Sequence, residues 1–258
     1  MHNIRLFESQ EHLFVFLNES TSSKEQGIHS NQYLIKHKNH CVLLDPGGFN
    51  VMPYVLAELL RYTTIDNLAA IILSHQDPDV LGGIVSWVAF SSAVVYLPEI
   101  WQRFIPHCGI TTEINRFYGV PDNGMEYVMD ANCKLQLIPA HFLHSEGNIN
   151  VYDPVSKILF TGDIGAATTM VDDNPFVEDF AKHLPHIEEF HKRYMCSNLA
   201  VQAWLKRISK LEIDMIAPQH GRIYKGKVLR QFLDWIGNLQ CGVDLFDANG
   251  FLNVGTTA

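Results

Sequence analysis

The sequence predicts a layered α/β protein. Two observations carry that prediction. Short apolar runs of strand length recur through both halves of the chain, each closed by glycine, proline or a polar turn. Longer segments of helical character stand between and after them, long enough to cover a sheet.

The elements follow in order. Apolar runs near 12–17, 32–36 and 41–45 read as early strands, with a polar loop at 19–30. Pro46-Gly47-Gly48 ends the third run. Residues 53–61 read as a helix, 69–74 as a strand, 81–90 as a helix and 93–97 as a strand. The second half repeats the style, with strands near 126–129, 134–138, 148–152 and 157–161. The last two read as a hairpin around Asp153-Pro154. A long helical segment at 187–210, a strand at 213–217 and a closing helix at 226–239 complete the chain. No repeat, linker or low-complexity tract interrupts it, so residues 1–258 are expected to form one domain.

Composition narrows the function classes. The chain is 47% hydrophobic and 18% charged, enough to bury a large core. A net charge of −9 without a basic cluster argues against nucleic acid as a partner. The N-terminus lacks the basic and apolar regions of a signal peptide, and no apolar stretch is long enough to span a bilayer. Five scattered cysteines, Cys41, Cys108, Cys133, Cys196 and Cys241, form no CxxC pair and suit a reducing cytoplasm.

The most informative stretch is His75-Gln76-Asp77-Pro78-Asp79-Val80. It follows the apolar run Leu68-Ala69-Ala70-Ile71-Ile72-Leu73 and precedes Gly82-Gly83. A strand ending in one imidazole and two carboxylates delivers metal-ligand types to one spot. The pattern alone is weak, with about 0.15 chance matches in a chain of this composition. Three further candidates strengthen it. His144, Asp163 and His220 each follow an apolar strand-like run and fall in a glycine-bearing loop.

The order His75-x-Asp77-x-Asp79, His144, Asp163, His220 resembles the metallo-β-lactamase superfamily, from about Asn31 to Gly226. Within it, the wording of Ser74–Asp79, His141–His144 and Ala217–Gly221 is similar to the flavodiiron proteins and their oxygen-binding di-iron relatives. So is the nineteen-residue step from His144 to Asp163. The resemblance implies an αββα sandwich of four layers, with two metal ions at one edge of its sheets. It places His75, Asp77 and His144 on one metal, Asp79 and His220 on the other, and Asp163 between them. Asp79 and Asp163 are the residues expected to act in the chemistry.

Two departures matter. Hydrolytic members of the superfamily usually carry histidine where Asp77 stands. A carboxylate there favours iron or manganese over zinc. Val80 stands where most members have histidine, and valine cannot ligate. The second metal is therefore expected to keep open positions for water, O₂ or another small ligand.

The other histidines have plainer readings. His107, His183, His186 and His191 sit in polar or helical contexts, and His37 and His40 flank a turn and look solvated. His141 is a candidate support for the ligands. Asp45 is expected to support the motif loop, Tyr194 to be a core aromatic or pocket wall, and Asp172-Asp173 to be a solvated turn.

The functional expectation is a di-iron protein that binds, senses or reduces O₂ or NO. The 38 residues after His220 cannot hold a flavodoxin-like domain, so no flavin is expected in this chain. Electrons or a signal would pass through a separate partner. The resemblance also implies a homodimer. The alternative is a metallohydrolase acting on an ester, lactone, thioester or phosphate, with Asp79 orienting the attacking water. Loss of the ligand at Val80 adds a third reading, a non-catalytic binding module.

Overall fold

The computed structural model describes residues 3–17, 28–168 and 174–252. Asp172-Asp173 and most of the expected 19–30 loop lie outside the described residues.

The first half builds one sheet. Its strands are β1 (Ile4–Glu8), β2 (His12–Leu17), β3 (Gln32–His37), β4 (His40–Leu44), β5 (Leu68–Ile72), β6 (Val94–Pro98) and β7 (Phe117–Val120), side by side in chain order. Pairing is antiparallel from β1 to β4 and parallel from β4 to β7. The parallel crossovers carry helices α1 (Met52–Leu59), α2 (Pro78–Leu81) and α3 (Ile84–Phe90). A short helix α4 (Glu99–Gln102) follows β6.

The second half builds the other sheet from β8 (Met125–Asp130), β9 (Cys133–Pro139), β10 (Ile149–Asp153), β11 (Ile158–Phe160), β12 (Met215–Ala217) and β13 (Tyr224–Lys225). β11 and β12 run parallel, joined by helices α5 (Phe180–Tyr194) and α6 (Asn198–Ile208). Helix α7 (Gly226–Gly237) packs behind them.

Strand alternation divides the apolar residues among three clusters. On β4, Val42 and Leu44 face the space between the sheets, where they join Tyr33, Leu137 and Phe160. Cys41 and Leu43, one residue out of step, join Val55 of α1 and Ile84 and Trp87 of α3. Behind the second sheet, Leu159 and Ile216 join Ile187, Trp204 and Phe232 of the later helices. Three interlayer cores make four layers, helix–sheet–sheet–helix, the αββα sandwich. The buried Trp204 indole donates to Asn150 Oδ1 at 2.7 Å, so its polar atom is satisfied within the core.

Two helices differ from the sequence expectation. The segment at 187–210 is two helices, because Ser197 takes an extended conformation and caps a fresh start by accepting from the Ala200 amide at 3.3 Å. The first of them begins earlier, at Phe180, behind an Asp179 cap. Pro185 lies inside it and hides that start from sequence reading. The helix expected at 81–90 is broken at Gly82-Gly83. There the chain passes so close to Gly47 and Gly48 that a Cβ on Gly83 would sit 2.9 Å from the Gly47 carbonyl. Strands β1, β7 and β13 were not expected: β1 carries Arg5 and Glu8, β7 contains Gly119, and β13 has two residues.

The topology sets up the site. The carboxyl ends of β4, β5, β9, β11 and β12 point to one edge of the sandwich. Their loops meet there, and the Ile149 amide donates to the Ser74 carbonyl at 2.9 Å across the two sheets.

Candidate metal centre

Each of the six sequence-selected side chains arrives from one of those strand ends. His75, Asp77 and Asp79 follow β5, with Asp77 and Asp79 on either side of Pro78 at the start of α2. His144 lies in the β9–β10 loop, Asp163 follows β11, and His220 follows β12. His75, Asp163 and His220 are buried, whereas Asp77 and Asp79 sit at the mouth with about a third of their side chains exposed.

Asp163 is the centre of the constellation. Its Oδ2 lies 2.7 Å from His144 Nε2 and 3.8 Å from His75 Nε2. Its Oδ1 lies 3.4 Å from His220 Nε2. Asp77 Oδ2 completes the first side, 3.7 Å from His75 Nε2 and 3.5 Å from His144 Nε2. Asp79 Oδ2 completes the second, 3.1 Å from His220 Nε2. Donor atoms, one each from His75, Asp77 and His144, lie within 4.8 Å of one another, a spacing that fits a single ion.

The donors are aimed rather than merely near. Asp45 accepts from the Ser74 amide at 2.7 Å and from Ser74 Oγ at 2.5 Å. Ser74 Oγ in turn lies 2.8 Å from His75 Nδ1. This relay places the His75 proton on Nδ1 and leaves the Nε2 lone pair turned inward. His220 is fixed the same way, with Nδ1 donating to the His29 carbonyl at 2.7 Å. Asp45 therefore supports the motif loop, as expected.

Among the six clustered side chains, two buried atoms have no hydrogen-bond partner, His75 Nε2 and Asp163 Oδ1. An orphaned nitrogen lone pair and carboxylate oxygen, both facing inward, are costly unless a cation takes them. The donor set therefore fits metal ions. The electrostatics without metal agree. Burial opposes charge on His75, but Asp77, Asp163 and Asp45 outweigh it and raise its pKa to about 9. Burial likewise opposes charge on His220, and Asp163 and Asp79 raise it to about 9. Burial pushes Asp163 up, yet His144, His220 and His75 together hold it well below the usual carboxylate range. Protons stand in here for the positive charge of a metal.

Several neighbours add to the site, of which the sequence suggested only Tyr194, as a core aromatic or pocket wall. Gln219 Nε2 donates to Asp79 Oδ2 at 3.3 Å. Phe190 and Tyr194 of α5 stack on each other and meet the His144 ring edge-on, so Tyr194 is a wall of the site and remains half exposed. The Asp163 loop is clamped at Gly165. Its amide donates to His191 Nε2 at 2.9 Å, and its carbonyl accepts from Tyr224 Oη at 2.8 Å. His183 lies 2.9 Å from the same Tyr224 hydroxyl. Histidines on a helix so distant in sequence gave no signal that they would meet this loop.

Other expectations change. His141 does not support the ligands; its ring nitrogens face the carbonyls of Glu146 and Asp122. Val80 is fully buried in the apolar cluster with Ile84 and Trp87. His37 is buried rather than solvated, and His40 is half-buried with Nε2 2.7 Å from Tyr127 Oη. None of the five cysteines is in a disulfide. Among the described residues, no helix is long and apolar enough to cross a membrane.

Comparison with known proteins gives a consistent picture. The chemotaxis sensor ODP, solved as a peroxy diiron species, is 41% identical, with TM-score 0.85 over 95% of this chain and 97% of that one. The apo state of chemotaxis sensor ODP from T. denticola is 42% identical, with TM-score 0.83 over 94% and 96%. The flavodiiron protein from Giardia intestinalis shares the fold at 16% identity, with TM-score 0.72 over 86% of this chain and 56% of that one. Among curated sequences, a putative diflavin flavoprotein A 4 from Synechocystis is 26% identical over 82% of this chain. The chain spans about a third of that relative's length, 35%. The model of the ODP family beta lactamase matches residues 28–221, a span that contains all six clustered side chains, and the chain belongs to that family.

Proposed function

We propose that this protein holds two iron ions among His75, Asp77, Asp79, His144, Asp163 and His220 and binds O₂ there as a sensor. The observation that carries the reading is the split of the Asp163 carboxylate, one oxygen toward His75 and His144 and the other toward His220. A carboxylate shared in this way offsets the repulsion between two cations held close together. Three carboxylates with three imidazoles make a hard, anionic set that suits iron. Held by these residues, a ferrous pair would supply the electrons that reductive O₂ binding requires.

The protein's own part is positioning and exclusion. Ser74 and Asp45 keep the His75 proton on Nδ1, and the His29 carbonyl does the same for His220. An apolar cavity of about 260 Å³ adjoins His75, walled by Leu81, Leu97, Trp101, Phe104 and Ile105. Such walls suit a small neutral diatomic such as O₂ or NO. No lysine or arginine lines the cavity among the described residues, which disfavours an anionic ester or phosphate as substrate. The likeness to a chemotaxis sensor supports signalling over turnover. Reduction of the pair, or relay of its state, then falls to a separate partner chain, and a homodimer is the assembly we propose.

Elemental analysis and absorption spectra test the reading. Protein from iron-supplemented cells should carry near two irons per chain, with a spectrum that bleaches on anaerobic reduction and returns with O₂. Zinc with no oxygen-sensitive spectrum, together with hydrolysis of an ester or lactone, would overturn it.

A further inference from the structure

The edge of the sandwich opposite the di-metal site carries a second cluster. β2 and β3 run antiparallel, and His12 opens β2 where His37 closes β3. Cys133 opens β9, and Asp153 closes β10. These are the strand ends farthest from the loops that bear His75 and His144, about 15–20 Å away over five or six residues of strand.

The contacts in this cluster fix the protons. His12 Nε2 lies 2.7 Å from Asp153 Oδ2, and both side chains are buried. His37 Nε2 lies 3.0 Å from Asp130 Oδ2. Both carboxylates are already engaged as acceptors. Asp153 takes the Ser156 hydroxyl and the Val155 amide, and Asp130 takes Lys38 Nζ and the Asn132 amide. Each imidazole therefore carries its hydrogen on Nε2. The two Nδ1 atoms then face each other at 3.2 Å with lone pairs on both. Two neutral acceptors at that distance repel unless a cation or an extra proton lies between them.

Cys133 favours a metal cation. Its Sγ lies 3.8 Å from His12 Nδ1, and Sγ with one ring nitrogen from each histidine all fall within 4.8 Å of one another. A tetrahedral zinc-type ion with ordinary bond lengths spaces its ligands about 3.3 Å apart for two nitrogens and about 3.6 Å for nitrogen and sulfur. Met129 Sδ, 3.8 Å from Cys133 Sγ, offers a soft fourth donor. Histidines whose far nitrogens are held by carboxylates are the usual support of such a site. His12, His37 and Cys133 are all buried.

We propose that His12, His37 and Cys133 form a separate site for one thiophilic closed-shell cation, Zn²⁺ or Cu⁺, that ties the two sheets together at the edge away from the di-metal centre. The cysteine binds as thiolate and releases its thiol proton to solvent. The site needs no electron transfer, and its ligands leave no mouth for substrate, so its role is structural. It does not depend on the iron reading.

The test uses the full chain with the di-metal site disabled by removing two of its six proposed ligands, H144A and D163A. Stripped of metal and titrated with Co²⁺, this variant should take up one ion per chain and show a thiolate-to-cobalt charge-transfer band in the near ultraviolet. Adding C133S should abolish the band and weaken binding at least tenfold. D130N, at the rim, should weaken binding without removing the band. Zn²⁺ and Cu⁺, added separately, should each suppress the band. Cobalt uptake without a charge-transfer band, or uptake unchanged by C133S, would overturn the proposal. So would no uptake at all by a variant that retains a cooperative thermal transition, which would leave a shared proton between the two imidazoles.

Discussion

His144 Nε2 lies 2.7 Å from one oxygen of Asp163, and the other oxygen of that carboxylate reaches toward His220. One side chain thus joins groups delivered by the β9 and β12 ends of the second sheet. D163A should lose both irons rather than one, read by elemental analysis. Without metal, its three imidazoles also lose their buried counter-charge, so the metal-free variant should lose about 3–5 kcal/mol of stability in denaturant titrations. Retention of two irons per chain would overturn the bridging role proposed for Asp163.

Asp45 touches no ligand directly and acts through Ser74. D45A should leave the six ligands in place but free the Ser74 hydroxyl, and with it the His75 tautomer. Iron affinity, measured by chelator competition, should fall by about 10–100-fold while stoichiometry at saturating iron stays near two. D45N should recover part of the loss, because the amide oxygen can still accept from Ser74.

The strands and the ligand loops were legible because they are local signals, whereas the four-layer sandwich came only from the family resemblance. An apolar strand followed by a glycine-bearing loop with His or Asp is written contiguously at Asp163 and at His220. What was not legible depends on contacts distant in sequence. The His12–His37–Cys133 cluster draws on β2, β3 and β9, and no spacing rule links residue 12 to residue 133. His37 and His40 looked solvated because a turn separates them, yet the second sheet covers one and half covers the other. The break at Ser197 and the start at Phe180 escaped because a proline inside a helix and a cap between two helices both contradict simple periodicity.

The Gly165 clamp makes the fold acid-sensitive. Burial lowers the pKa of His191 to about 4 and that of His183 to about 4. Both fall below the unfolded value of about 6.5, so the unfolded chain binds more protons between these limits. Their contribution is fully present above about pH 6.5 and is lost as pH falls toward 4. For His191 alone this amounts to roughly 3 kcal/mol. Denaturant midpoints of the metal-free protein should drop between pH 6.5 and 4.5, by less than the two histidines alone would give, because burial pushes the Asp45 carboxyl up to about 7 and folding takes up its proton in the same window. H191L should flatten that drop and also lower stability at pH 7 by about 1–3 kcal/mol, because the Gly165 amide loses its acceptor.

Val80 gives the sharpest contrast between motif and structure. Family pattern places a ligand at this position, whereas the side chain here is fully buried among Ile84, Trp87 and Leu73. An imidazole there would be larger than the space it enters and would lose water without gaining a partner. V80H should therefore lower stability by about 2–4 kcal/mol and leave iron affinity at the second position unchanged. V80I separates the two costs, since it adds volume without polarity. Denaturant titration with parallel iron titration reads both quantities. Tighter iron binding in V80H, with stability of the loaded protein retained, would mean that the loop turns this position toward the metals when they bind.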